Sequence, residues 1–327
     1  MVNKAAHLVE HLFDKDIEKK PTRDGFGLGT VEAGKANKNV VVLCADLSES
    51  TRAEWFQKEF PERFIEMGIA EQNMAATAAG FALAGKIPFI ASYAAFSPGR
   101  NYEHIRTTIA LNETPVKIGG MHAGVSVGPD GATHQMLEDI GLMRMLPHMV
   151  VLNPGDAEEA RKAVVAAALT KDPTYIRFGR AGTPVFTTSD TPFSIGKAQT
   201  LWESAKPKVT LIATGSVSYN ALAAARALES DGIGSIVLHL ATIKPLDAEA
   251  IVAAAKKTGH VITIEEHQIA GGMGSAVAEC LSERYPVPVK RMGIQDVFGQ
   301  SGEPDELIEY YGLGAAHIAE VARTLVS

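Results

Sequence analysis

Short runs of β-branched residues alternate with alanine-rich helical stretches along the whole chain, and this alternation constrains the fold more than any other feature. Strands separated by helices of this length must lie parallel, with helices covering both faces of the sheet. The strand-like runs of the first half are "NVVVLCAD" (39–46), "IPFIASYA" (87–94), "PVKIGGMH" (115–122), "HMVVLNP" (148–154) and "TYIRFG" (174–179). Such strands are expected to be buried on both faces. In "DAEEARKAVVAAAL" (156–169), Asp156 is placed to cap a helix whose first turn is acidic, which the helix dipole favours. Residues 68–85, "GIAEQNMAATAAGFALAG", read as one small-residue helix with a carboxylate, Glu71, in its first turn.

At 182–199, Thr, Pro, Ser and Gly crowd a stretch without helical period. The pattern restarts at "VTLIATG" (209–215) and continues through helix 217–230, strand 235–240, helix 247–257, strand 260–266, helix 274–284 and strand 287–293. The expectation is an α/β protein of two domains, a parallel-sheet domain over 1–190 and a smaller α/β domain over 191–327.

Lys and Arg number 31 against 38 Asp and Glu, a net charge of −7 with no long basic run, so no nucleic-acid partner is expected. The N-terminal stretch lacks a signal-peptide core and nothing approaches the roughly 18 apolar residues of a membrane span. A cytoplasmic protein with no membrane partner is the expectation. Cys44 and Cys280 fall in a strand-like and a helix-like run, which suggests neither a disulfide framework nor a thiolate metal site.

Ligands of open parallel sheets bind beyond the carboxyl ends of the strands. There the first strand runs into Asp46 and Ser50, and the 115–122 strand runs into His122. The segment "HAGVSVGPDGATHQ" (122–135) follows, with three glycines, Asp130 and His134. Glycines at this density let backbone amides approach an anion or a flat cofactor. An isolated "PDG" is a surface turn, and Glu71 alone is equally an ordinary helix-start carboxylate. The company of two histidines and a carboxylate after a buried strand favours a site.

Residues in "MGIAEQNMAATAAGFALAGKIPFIASYAAF" resemble the pyrimidine-binding domain of the transketolase family, and "MHAGVSVGPDGATHQMLEDIGLMRMLPHMVVLNPGDAEEA" resembles its active-site loop and following strand. "ATGSVSYNALAAARAL", "HLATIKPLD" and "EEHQIAGGMGSAVAE" are similar to its C-terminal domain, so the likeness covers essentially the whole chain. The resemblance implies a thiamine diphosphate enzyme. Glu71 matches the glutamate that holds the cofactor's aminopyrimidine nitrogen, and sharing a hydrogen with it makes the exocyclic nitrogen basic enough to deprotonate the thiazolium. Tyr93 and Phe96 match the aromatic pair around that ring, and Asp46 lies in the same cofactor-binding group. His122 and His134, with Asp130, match residues that contact a ketose phosphate's hydroxyls, the histidines as proton-handling groups. Arg23, Ser50 and Arg180 match the sugar-phosphate contacts, with Arg100 a further substrate cation. After Phe96 the chain carries about two extra residues relative to the single-chain enzymes, so the family's third aromatic falls on Gly99 or, with a shifted gap, on Tyr102.

The family binds the cofactor's magnesium through a "GDG…N" element, and this sequence has none. The resemblance therefore implies the C-terminal subunit of a split transketolase, its Mg2+ ligands on a separate N-terminal subunit, the chain paired with itself as a homodimer and two copies of each subunit in a heterotetramer. The expected reaction is two-carbon glycolaldehyde transfer from a ketose phosphate to an aldose phosphate, as in the pentose phosphate pathway. The alternatives are a deoxyxylulose-phosphate-synthase-like enzyme, the beta chain of a 2-oxo-acid dehydrogenase, and a non-catalytic regulatory paralogue. "TGSVS" (214–218), "GGMGS" (271–275), His267 and the Glu265/Glu266 pair are read as packing elements of the second domain.

Overall fold

A computed structural model describes all 327 residues. The first sheet has seven strands, in spatial order Thr242–Lys244, Val150–Leu152, Thr174–Arg177, Lys117–Met121, Ile87–Tyr93, Val40–Cys44 and Phe64–Glu66. All its pairings are parallel except that of Thr242–Lys244. The second sheet has five, in the order Val289–Ile294, Val261–Gln268, Pro207–Ala213, Gly234–His239 and the antiparallel edge Gln199–Glu203. A short ladder joins Lys19–Lys20 to Thr183–Pro184.

The expected strands form, each within a few residues of its sequence bounds. Alternate side chains of a strand leave opposite faces of the sheet. Val41 and Leu43 therefore pack with Met74 and Ala78 of the helix Glu71–Leu83, while Val40, Val42 and Cys44 pack with Phe26 and Ala160 on the other face. The small residues of "EQNMAATAAGFAL" let that helix sit close to the sheet, and "DGFGLG" does the same for the helix Thr22–Ala36. A Cβ at Gly25 would lie 2.4 Å from the Ala157 carbonyl oxygen, so the contact with the helix Ala157–Ala168 requires glycine there. Asp156 caps that helix as expected, accepting the Glu159 N–H at 2.9 Å.

Two segments cross the 190/191 boundary expected from the sequence. Thr242–Lys244 leaves the second unit to extend the first sheet, pairing with Val150–Leu152. The N-terminal residues pack on the second sheet instead, with Asn3 N–H donating to Leu201 O at 2.9 Å and Ala6 and Leu12 in that unit's core. One apolar cluster runs from Met74 and Ile118 of the first unit to Ile212 and Leu238 of the second. No helix of the chain is long and apolar enough to cross a membrane.

Candidate active site

The strand register brings Cys44 beside Ala91 and Tyr93 beside Met121, so the chain segments leaving these strands meet at one edge of the sheet. Glu71 opens its helix there, 1% exposed. Its Oε2 accepts from Nη1 of Arg100 at 2.7 Å, its backbone carbonyl accepts from Asn101, and Oε1 has no partner in the chain. The Arg100 guanidinium also lies over the Phe96 ring, 4.8 Å from its centroid. The turn at Ser97–Asn101 thus places Arg100, expected as a substrate cation, against Glu71 and Phe96. Tyr102, the alternative third aromatic, begins a short helix and packs with the apolar cluster of the first sheet.

Tyr93 and Phe96 stack at 5.9 Å with 19° between their planes. His134 meets both edge-on, 5.6 Å from Phe96 and 6.1 Å from Tyr93. His122 lies 4.0 Å from Tyr93 on a left-handed backbone, φ 55°, which turns the chain out of the strand. Glu71, Tyr93, Phe96, His122 and His134 thus form one cluster joined through Arg100 and the rings.

On its other side His122 meets a group of cations. Arg23 Nη1 lies 3.0 Å from His122 Nε2 and donates to the Ser50 carbonyl at 2.7 Å. A guanidinium only donates, so Nε2 accepts and Nδ1 carries the hydrogen. Burial, then the neighbouring Arg23 and Arg180 charges, push the His122 pKa down to about 3, so the ring is neutral near pH 7. Arg23 is itself lowered from its ordinary value, by burial first and then by Arg52. Arg52 was not anticipated from the sequence. It pairs with Asp24 at 2.7 Å, and only the turn at "STRAEW" brings its charge near His122. Mutually repelling guanidiniums on a neutral imidazole form a site that an oxyanion relieves.

Arg180 Nη1 donates to Val127 O at 2.9 Å and approaches Asp130 Oδ1 at 3.4 Å, tying the Gly-rich loop to the strand that ends at Arg177. Asp46 is exposed at φ 56°, and its N–H donates to Glu66 Oε1 at 2.8 Å. The Ser50 contact with Arg23 is made by its backbone carbonyl. No group of three or more His, Cys, Asp or Glu side chains is placed to hold a metal ion.

Residues 18–184 match the transketolase pyrimidine-binding domain and residues 196–318 the transketolase C-terminal domain. The chain belongs to the transketolase family. It is 44% identical over 304 residues to a protein of Methanocaldococcus jannaschii provisionally named transketolase C-terminal section, covering 92% of this chain and 95% of that one. It is 38% identical to the 6-deoxy-6-sulfo-D-fructose transketolase subunit SqwH of a Clostridium species, over 95% of this chain and 96% of that one. A solved split-gene transketolase, described as an inactive β4 tetramer, superposes with a TM-score of 0.86 at 46% identity, covering 93% of this chain and 97% of that one. Single-chain family members are longer: the chain spans 48% of mouse transketolase-like protein 2, at 41% identity. Both expected transketolase domains are thus present, and the relatives the chain matches nearly end to end include a split-gene transketolase.

Proposed function

We propose that this chain is the C-terminal subunit of a thiamine diphosphate-dependent transketolase that moves a glycolaldehyde unit from a ketose phosphate to an aldose phosphate. The observation that carries the reading is the continuous cluster from Glu71 through the stacked Tyr93 and Phe96 to His134, His122 and Arg23. One end offers a buried carboxylate beside flat rings, the other a cationic pocket around a neutral imidazole.

The residues present fit the pyrimidine half of the cofactor. Glu71 keeps Oε1 free of partners within the chain while Arg100 holds Oε2, and Tyr93 and Phe96 supply an aromatic wall. When bound, thiamine diphosphate would supply the nucleophilic thiazolium carbon for two-carbon transfer. Glu71 orients and activates the aminopyrimidine through its ring nitrogen. His122, its tautomer set by Arg23, presents a neutral N–H as a hydrogen-bond donor to a sugar oxygen. His134 and Asp130 hold further hydroxyls, and Arg23 with Arg180 reads the terminal anion. The diphosphate and Mg2+ belong to a separate N-terminal subunit carrying "GDG…N", assembled with a homodimer of this chain in the cytoplasm.

A sulfonate would satisfy the same guanidiniums, and the likeness to the sulfofructose enzyme subunit favours it as a second donor class. The test mixes the chain with its N-terminal subunit, thiamine diphosphate, Mg2+, ribose 5-phosphate and either xylulose 5-phosphate or 6-deoxy-6-sulfofructose. Formation of sedoheptulose 7-phosphate from either donor supports transfer, and the better donor decides the sugar. Its absence from a stable complex with both donors overturns the reading. Arg180→Ala should raise KM about tenfold for anionic donors and leave hydroxypyruvate within about twofold; equal effects would remove Arg180 from the anion site.

A further inference from the structure

Two carboxylates continue the buried strand Val261–Gln268, and they do different things. Glu265 accepts the N–H groups of Met273 and Gly274 and so caps the helix that follows within its own unit. Glu266 reaches across the seam. Its Oε1 accepts the backbone N–H of Ser126, 140 residues away, at 2.5 Å. Gly124 makes room for it: at φ 91° it has no side chain, and a Cβ there would lie 2.3 Å from that oxygen.

The loop from Ala123 to Leu137 is held on both legs from the same place. A backbone bridge between Ala123 and Met136 closes its base. Arg177 Nη2 donates to Met136 O at 3.2 Å and to Glu266 O at 2.8 Å, so one guanidinium ties the returning leg to the strand that carries Glu266. Gln268 N–H donates to Leu137 O at 2.9 Å, and higher up Gln135 Nε2 donates to Gln300 O at 3.0 Å. The sequence reading of Glu266 as packing is therefore replaced by a specific contact with the loop that bears Asp130 and His134.

We infer that Glu266 is a positioning residue: its carboxylate fixes the Ser126 amide and with it the geometry between His122, where the loop begins, and His134 near its end. The inference rests on the reading of the site given above. Glu266 is 5% exposed; burial raises its pKa, while the nearby Arg177 charge and the Ser126 N–H favour the charged form. Removing the acceptor strands a buried N–H and frees one leg. A displacement of about 1 Å in a substrate-holding element is enough to cost about 100-fold in rate.

Hydrogen exchange of the full chain tests the brace, and kinetics of the assembled complex test the positioning. Glu266→Ala should speed exchange of peptides spanning 122–137 about tenfold and leave the helix 273–284 unchanged. In the complex it should raise KM for the ketose phosphate about tenfold, with thiamine diphosphate affinity at the wild-type value. Glu266→Gln keeps an acceptor oxygen and should restore both readouts to within about threefold. Glu266→Asp withdraws the oxygen by one methylene, moves both in the same direction as the alanine change, and is read in its place if the alanine variant does not fold. Unchanged exchange over 122–137 overturns the brace whatever the substrate; faster exchange with unchanged KM overturns the positioning role. If the wild-type complex transfers no two-carbon unit, the reading of the site fails while exchange still decides whether Glu266 holds the loop.

Discussion

His122 and His239 are both buried, 1% and 0% exposed, one just past a strand and the other at a strand's end, yet their neighbours push them in opposite directions. His122 faces guanidiniums, Arg23 and Arg180 foremost after burial itself, and its pKa falls to about 3. His239 faces carboxylates. Its Nε2 lies 2.7 Å from Glu159 Oε2 and its Nδ1 lies 2.7 Å from Ser218 Oγ, and although burial opposes it, the Glu159 charge raises its pKa above the ordinary value. Burial alone therefore says nothing about a histidine's charge; the sign of the nearest partner decides. The neutral ring lies beside the Tyr93 ring and the Arg23 guanidinium, where the proposed function places a sugar oxygen. The His239 ring, hydrogen-bonded to Glu159, ties the helix Ala157–Ala168 of the first unit to the strand Gly234–His239 of the second.

Breaking each histidine's role should separate the two regions cleanly. His122→Ala should lower turnover of the assembled complex about a thousandfold, the scale of one lost hydrogen-bond donor at a developing oxyanion, and shift Tm of the chain little. Steady-state rates and a thermal melt check this together; an active variant would remove His122 from the chemistry. Glu159→Gln should do the reverse. It leaves His239 without its countercharge and the buried seam short of an ion pair, a loss of about 3 kcal/mol, with KM for sugars unchanged. Denaturant unfolding measures it, and a loss under about 1 kcal/mol would show that the pair contributes little to the seam.

The pH dependence sharpens the comparison, because the two signs oppose one another. His122 binds its proton at about 3 when folded and near 6.5 when unfolded, so its stabilising effect is full above pH 6.5 and lost as pH falls. By pH 5 that loss is about 2 kcal/mol. His239 has the raised value, so its contribution is full below 6.5 and lost as pH rises through its folded pKa. Glu159 is lowered from 4.5, and its contribution stays in place above 4.5. Asp156 adds to the negative side of the seam and Lys162 to the positive. Unfolding free energy followed from pH 5 to 9 should lose its acid slope in His122→Asn and its alkaline slope in His239→Gln. Identical profiles in both variants would mean that neither ring titrates as its neighbours dictate.

The sequence revealed most where chemistry and structure lie in one contiguous stretch. The buried β-branched runs gave the strands, and "HAGVSVGPDGATHQ" held Asp130 and both histidines that the fold brings to the aromatic pair. What stayed hidden depends on pairings between distant segments. Thr242–Lys244 adds to the first sheet through a register that no local pattern encodes. Arg100 reaches Glu71 only because of the turn between Phe96 and Asn101. Glu266 did leave a sign in "VITIEEHQ", where two carboxylates extend a run of apolar residues and so demand buried partners. Its partner, a backbone amide 140 residues away, has no signature of its own.

The smallest effect comes from Ser218, and it tests the contrast most finely. Ser218, His239 and Glu159 are hydrogen-bonded in the order used by serine nucleophiles. Ser218 and His239 are both 0% exposed and pack in the seam between the two units, outside the aromatic cluster that forms the candidate site. The hydroxyl instead fills the second nitrogen of a ring whose first nitrogen is bound to Glu159. Ser218→Ala should thus cost about 1 kcal/mol by leaving Nδ1 unpaired, leave KM and turnover of the complex unchanged, and make no difference to labelling by a fluorophosphonate, which should not react with the wild type either. Labelling at Ser218 would place a second reactive centre in the seam and end the division between a region built for chemistry and one built for cohesion.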